Sequence, residues 1–482
     1  TSMIHLFNSI LQISIHPQVK EVQNKFDRAF VSKLSLKCVS DTNGDEQCVQ
    51  DLIDSFNFYM NAAFSQQTQP QTQHYQHKYK QSSIQEVVIK YQQLSVNADP
   101  LTTDETYELE VTPHQILIQV KSVAGAAHAF KTLLQLISSN HPETKNSKQN
   151  SVEYSIPGIK IRDYPAMPWR HFQVDLCSQY HTDQEVLGYI EFAAAQKLNV
   201  LLVQISCPQF FTLPILQLKH ATHSPHHYYD RFQIKRWTEV ARARGVTIVP
   251  MLQLLGQNAP FKWMHLTAGC QDKPQLNLFD QKIYSQIAKV MKEVAAQFSA
   301  GYLHVGGEPV DFKCLQGSNS AEALKQFYVQ VQQIGKELGL KLIFHDFFYA
   351  AQIALEKDNL LHFVSGSSKR HEKSLHSWDL DEMHPRGGFN YFWMDTWKDL
   401  YTTEFSKSKQ EIGGGARVSS KYCSGSSCLQ KAFRAVGISQ ALWKNYIGEP
   451  GEVQMQIETF GCVLHKLGLP HGALDPGAPC QK

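Results

Sequence analysis

The chain has 482 residues, of which 42% are hydrophobic and 19% charged, with a formal net charge of +2. That length exceeds one typical domain and predicts two. The small net charge excludes strong steering toward nucleic acid or an acidic membrane surface, and no apolar run approaches the roughly 20 residues of a membrane span.

The ten cysteines include close pairs, Cys38/Cys48, Cys423/Cys428 and Cys462/Cys480. They read as a disulfide framework and favour an oxidising compartment, secreted or a lysosome-like lumen, over unpaired thiols in a cytosol. No Cys-x-x-Cys pair argues for zinc. The chain opens at Thr1 with no signal-peptide pattern, which reads as a processed or trimmed N-terminus.

Residues 1–160 read as a small α/β sandwich. Phe30–Leu36 is strand-like, and Gln47–Phe64 has the spacing of a helix with a mixed apolar face. Gln66–Gln81 is a Gln/His-rich tract read as a loop. Ile84–Tyr91, Thr106–Val111 and Gln115–Val120 alternate as strands do, and Ala124–Ser138 follows as an amphipathic helix.

Over 161–482 the pattern changes to strand and helix in turn. Strands are predicted at His171–Leu176, Asn199–Ser206, Val246–Leu252, Gly301–Val305, Leu340–His345, Leu361–Ser365, Gly388–Trp393 and Val436–Leu442. Helices are predicted at Asp183–Lys197, Gln233–Arg244, Gln281–Phe298 and Ala321–Leu338, with Gly245 and Gly339 as C-terminal caps. Eight strands with intervening helices argue for a (β/α)8 TIM barrel, making the whole an α/β protein. A doubly wound sheet is the alternative, weakened because no Gly-rich nucleotide loop follows the first strand.

Tyr302–Cys314 is the stretch that carries chemistry. A short apolar run ends at Gly306-Gly307, and the loop beyond it holds Glu308, Pro309 and Asp311. A carboxylate just past a barrel strand is where this architecture keeps its reactive groups. Asp346 and Asp395 also fall near strand ends. The preferred reading of Glu308 and Asp311 is nevertheless a solvated loop carboxylate and a structural cap. His220, His223, His226 and His227 lack ligand spacing and read as a loop, so no metal is expected. Cys177 and Cys207 fall at the ends of neighbouring strands and are expected to pair. Trp393 and Trp397 read either as an aromatic sugar platform or as core aromatics.

Several matches in order carry a family likeness. They are Ile161-Arg162-Asp163-Tyr164-Pro165 with Arg170 and Asp175, Lys197-Leu198-Asn199-Val200, and Ala241 to Gly245. His304-Val305-Gly306-Gly307 with Val310-Asp311-Phe312 and Cys314 follows. Asp395 to Tyr401, Ile412-Gly413-Gly414, and Arg434-Ala435 through Leu442-Trp443 complete the series. The chain resembles glycoside hydrolase family 20, the β-N-acetylhexosaminidases. The resemblance implies a TIM barrel behind a small α/β domain, no cofactor, N-acetylhexosamine-containing glycans as the ligand class, and homodimers or partner proteins. It also implies the disulfides Cys270–Cys314 and Cys462–Cys480.

The family's chemistry is substrate-assisted: an Asp orients the acetamido group and the next residue, a Glu, donates the proton. Here Glu308 stands at the Asp position and Pro309 at the Glu position, and a pyrrolidine ring donates no proton. Arg170 is matched to the family's sugar-gripping arginine, and reads equally as an ion-pair anchor for Asp175 or Glu308; Tyr391 is matched to the acetamido tyrosine and Phe344 to a pocket tryptophan. Ser178-Gln179 replace an Arg-His pair, and Gly415, Ser419 and Lys421 replace Glu, Trp and Glu. The resulting expectation is a hexosaminidase-like protein without the family's hydrolysis, serving as a structural or interaction protein. The alternatives are an N-acetylhexosamine-binding lectin using Arg170, Tyr391 and Trp393, and a weak hydrolase using Glu308.

Overall fold

The computed structural model describes residues 15–41, 44–65, 83–96, 99–140, 153–207, 210–215, 228–256, 266–268, 275–299, 301–307, 310–311, 319–364, 374–379, 384–385, 392–393, 401, 411–418, 423, 426–444 and 450–469. The N-terminal unit runs β1 (Glu21–Ser40), β2 (Gly44–Glu46), α1 (Gln50–Ala63), β3 (Ile84–Tyr91), β4 (Tyr107–Val111), β5 (Ile116–Val120), α2 (Val123–Leu136), β6 (Ser138–Asn140) and β7 (Glu153–Asp163). Buried and less buried residues alternate along β4 and β5, as the period-2 pattern requires. The sheet order is β2-β1-β3-β5-β4-β7-β6. The long β1 joins both sides of it, pairing antiparallel with β7 in its first half and parallel with β3 in its second. β7 carries this sheet to Asp163, a little past the expected boundary at 160.

Helix α2 is buried at every position but Gln135. A helix buried on nearly every face must be covered on nearly every face; here the sheet, α1 and the barrel cover it between them. Gly245, at φ +73, lets the two units approach, because a Cβ there would lie 3.0 Å from Ala124 Cα.

The barrel contains β8 (Trp169–Asp175), α3 (Asp183–Ala195), β9 (Val200–Gln204), α4 (Arg231–Ala243), β10 (Thr247–Met251), the ribbon β11 (Thr267–Ala268) with β12 (Gln275–Leu276), α5 (Lys282–Phe298), β13 (Tyr302–His304), α6 (Ser320–Glu337), β14 (Lys341–His345), β15 (Leu360–Val364), β16 (Ser374–Asp379), the ribbon β17 (His384–Pro385) with β18 (Phe392–Trp393), and β19 (Glu411–Val418). Thr182 and Asp230 open α3 and α4 with reciprocal capping boxes, which satisfies their first backbone N–H groups. Gly339 stands at φ +69 beyond α6. The strands β10-β13-β14-β15-β16-β19-β8-β9 close into an eight-stranded barrel. No described helix is long and apolar enough to cross a membrane.

Six predicted barrel strands fall where expected; the last two do not. Val436–Leu442 lies inside a helix, Val436–Lys444. An apolar run this short reads equally as a buried helix or a buried strand. Of Gly388–Trp393, Phe392 and Trp393 form β18, outside the barrel, and the rest lies outside the described residues. The seventh and eighth strands are β16 and β19 instead. The glycine run in β19 hides its strand character, yet a Cβ at Gly413 or Gly415 would lie 1.8 or 1.9 Å from the carbonyl oxygens of Trp169 and His171. Only glycine permits that approach.

The two units share a buried polar network. Glu105 accepts from His128 Nε2 at 2.6 Å, from Asn199 Nδ2 at 2.8 Å and from Arg170 Nη2. Asp163 accepts from Lys197 Nζ at 2.7 Å, Tyr107 OH at 2.9 Å and Trp443 Nε1 at 2.9 Å. Burial works to raise the Glu105 carboxyl, but Arg170 and His128 outweigh it and hold it at about 2. Burial keeps His128 neutral, so it serves Glu105 as an N–H donor rather than a cation.

The folded value of Glu105 lies below an unfolded value of about 4.3. Its contribution is therefore complete above that unfolded value and lost as pH falls through about 2. The expected size is on the order of 3 kcal/mol. We expect the urea-midpoint gap between the parent and Glu105→Gln to be wide at pH 6 and to shrink by pH 3. An unchanged gap would contradict the low value.

Candidate functional site

The pleat decides what faces the barrel interior. Residues paired across parallel strands share a face, so the registers assign the inward set. At the bottom are Trp169, Val200, Tyr302 and Leu360, then Val249, Ile343 and Leu375, all buried apolar or aromatic. Above them the interior turns polar. Leu202, His304, His362 and Gly415 form one layer by register, and Gln173, Met251 and His345 belong to the next, as expected for four-residue layers from alternate strands. His171 faces inward just beneath them.

Four imidazoles from four strands therefore meet in the upper barrel. His304 Nε2 and His362 Nδ1 are 2.9 Å apart, and His304 Nδ1 accepts from Gly306 N at 3.0 Å. His171 Nδ1 accepts from Trp169 Nε1 at 3.1 Å. Ring centroids are 4.7 Å apart for His304–His345, 5.3 Å for the stacked His345–His362 pair and 5.2 Å for His171–His362. Ligand atoms of His304, His345 and His362 all lie within 4.8 Å of one another. Burial pushes His171 down to about 3 and His345 to about 4, the latter helped by the charge of Arg417. Burial likewise holds His304 and His362 well below the usual imidazole value. All four are neutral near pH 7.

Several described groups stand at the strand ends above them. Gly306 (φ +69) and Gly307 (φ +128) end β13, and a Cβ at Gly306 would meet Gln253 Oε1 at 2.0 Å. The Asp175 carboxylate accepts from Cys177 N at 2.8 Å, Ser178 N at 3.0 Å and the Ser178 hydroxyl, so it shapes its own loop. The Cys177–Cys207 disulfide ties the ends of β8 and β9. Cys38–Cys48 and Cys423–Cys428 also pair as expected. Cys462 is disulfide-bonded, while Cys270, Cys314 and Cys480 lie outside the described residues. Asp311 is clamped through its backbone by Gln275, at 2.8 and 3.2 Å. Burial raises the Asp346 carboxyl, which stands at the end of β14.

Two expected sugar contacts are corrected. Arg170 sits between the inward Trp169 and His171, so its side chain points out of the barrel toward the N-terminal unit. It is fully buried there, donating to Lys197 O at 3.0 Å, Met167 O at 2.8 Å, Pro168 O at 3.2 Å and Glu105. Phe344 also faces outward, against Tyr328 and Phe348; the inward neighbour is His345. Trp393 pairs with His384 in the outer ribbon. Glu308, Pro309 and Tyr391 lie outside the described residues. The histidine cluster was missed, although its signal was present: four strands, His171–Leu176, Gly301–Val305, Leu340–His345 and Leu361–Ser365, each carry one histidine at an inward position.

Residues 167–457 match the catalytic domain of glycosyl hydrolase family 20. The chain belongs to that family. Residues 15–136 match a domain described as beta-acetyl hexosaminidase like, which agrees with a small unit preceding a family 20 barrel. Beta-hexosaminidase subunit A1 of Dictyostelium discoideum is 25% identical over 418 residues, covering 78% of this chain and 76% of that protein. Beta-hexosaminidase subunit alpha of Mus musculus is 23% identical over 416 residues, covering 77% and 76%. Among solved family 20 structures, Flavobacterium johnsoniae chitobiase matches with a TM-score of 0.76 at 18% identity, covering 95% of this chain and 73% of that one. The Streptomyces plicatus N-acetyl-beta-hexosaminidase matches with a TM-score of 0.71 at 16% identity, covering 97% and 98%. At these identities the structures establish the fold alone.

Proposed function

We propose that this chain is a hexosaminidase-like protein that does not carry out its family's hydrolysis and serves as a structural or interaction protein of a secreted or luminal assembly. The observation that carries the reading is Pro309, placed directly after Glu308 where the resemblance puts the proton donor. Losing a positioned general acid costs typically ~10²–10⁴ in rate, or about 3–5 kcal/mol of barrier. A Glu in place of the orienting Asp adds about 1 Å of misplacement, worth up to ~10²-fold more.

Further support comes from groups already engaged elsewhere. Arg170 is held by Glu105 and three carbonyls, and Asp175 by its own loop, which leaves neither to grip a sugar. This weighs against the lectin reading as well. The disulfides Cys38–Cys48, Cys177–Cys207 and Cys423–Cys428 favour an oxidising compartment.

The test is release of an activated aryl N-acetyl-β-glucosaminide, with binding of free N-acetylglucosamine measured on the same sample. We expect no turnover and no binding at millimolar sugar. Turnover above about 1 s⁻¹, within the ordinary range for enzymes, would refute the proposal. The double variant Glu308→Asp with Pro309→Glu is expected to stay inactive, because the surrounding pocket also departs from the family pattern.

A further inference from the structure

We propose that the upper barrel interior is a transition-metal site in which His304, His345 and His362 are the ligands and copper(I) is the favoured ion. Three imidazoles from three strands converge, with ligand atoms within 4.8 Å of one another. Imidazole ligands around zinc or copper stand about 2.0 Å from the metal, which puts neighbouring ligand nitrogens about 3.3 Å apart in a tetrahedral site. The His304–His362 pair at 2.9 Å is a little closer than that spacing, and the inward-facing His345 supplies the third nitrogen.

A second observation points to the same place independently. Gln173 shares the layer of His345 and is buried, yet its side-chain carbonyl Oε1 has no hydrogen-bond partner. A buried polar atom left this way asks for a ligand. Its amide Nε2 stands 3.6 Å from Met251 Sδ, so a thioether lies in the same layer. The candidate fourth donors are therefore neutral oxygen and soft sulfur.

Charge selects the ion. All the candidate donors are uncharged side chains, three imidazoles, an amide oxygen and a thioether. A divalent ion here would be a doubly charged centre in a buried site with no carboxylate among the ligands, which is costly. A monovalent soft ion meets less opposition, and thioether with imidazole suits copper(I). Protons balance without release. In the metal-free protein Gly306 N–H occupies His304 Nδ1, so the ring proton sits on Nε2. Ligation by Nε2 moves that proton to Nδ1 and gives up the Gly306 bond, which a glycine at φ +69 can release.

The experiment uses the untagged full chain, kept anaerobic with no thiol reductant so that its disulfides stay intact, and titrated with copper(I) against a chromophoric chelator, with zinc(II) in parallel. We expect one copper(I) per chain with a Kd tighter than about 1 nM, zinc at least 100-fold weaker, and X-ray absorption showing three imidazole nitrogens near 2.0 Å. Absorption on the unsubstituted protein counts ligands directly, so the test does not depend on any variant folding. His345→Phe and His362→Gln should each lose at least 100-fold in copper affinity, whereas His220→Ala, His223→Ala, His226→Ala and His227→Ala combined should lose none. No stoichiometric uptake, zinc as tight as copper, or uptake that survives His345→Phe and falls with the loop variant would each overturn the proposal. Neither the titration nor the absorption measurement depends on whether aryl glucosaminide is hydrolysed, so this inference and the functional reading fail separately.

Discussion

Arg170→Met is expected to lower the unfolding free energy by about 3–5 kcal/mol, the range for breaking a buried ion pair from one side. The side chain is fully buried and Glu105 nearly so. Removing the guanidinium leaves the Glu105 carboxylate held only by neutral donors, His128 and Asn199. It also strips a donor from the carbonyls of Met167 and Lys197, whose loss costs further, while the part-buried Pro168 carbonyl keeps Asn199 Nδ2 at 2.7 Å. Because Glu105 belongs to the N-terminal unit and Arg170 to β8, the damage falls on the seam between the units. The readout is the denaturant midpoint, with a search for a split transition as the units uncouple. The double variant Arg170→Met with Glu105→Leu should recover much of the loss, since an apolar pair leaves no stranded charge. A sugar-gripping arginine predicts the opposite: stability nearly untouched. A midpoint shift below about 0.5 kcal/mol would return Arg170 to that role.

This residue shows what could be read from the chain and what could not. The barrel was legible because strand and helix periods alternate over a long stretch, and six strands needed only apolar runs bounded by helices. The family motif around Arg170 was legible too, but its direction was not. Whether an arginine points into a barrel or out of it turns on a one-residue step in the pleat, and Trp169 rather than Arg170 took the inward position. The same step separates Phe344 from His345. The last two strands failed for another reason. In β19 the glycines reflect strand contacts from residues more than two hundred positions away, and no local pattern carries that information. The histidine cluster combines both difficulties: single histidines in four strands mean nothing until register shows that they face one another.

Gly415→Ala is expected to cost about 4 kcal/mol or more, in the exceptional range for one substitution, and to appear as insoluble or metal-incompetent protein. The added Cβ would stand 1.9 Å from the carbonyl oxygen of His171 and 2.6 Å from its ring Cδ2. Backbone on the paired strand cannot yield as a flexible side chain can, so β19 and β8 must separate at the point where the barrel closes. The cost is steric rather than conformational, and a control distinguishes the two. Gly339→Ala, at φ +69 with nothing within 4 Å of its Cβ, pays only for left-handed backbone, about 1–2 kcal/mol. Gly415 also shares its layer with His304 and His362. The volume its missing side chain leaves is volume the imidazoles occupy, so a methyl group there competes with the rings themselves. If Gly415→Ala folds at all, copper uptake should fall with it, whereas Gly339→Ala should bind as the parent does. Equal and mild effects at both positions would mean that β19 does not approach β8 as closely as the barrel requires.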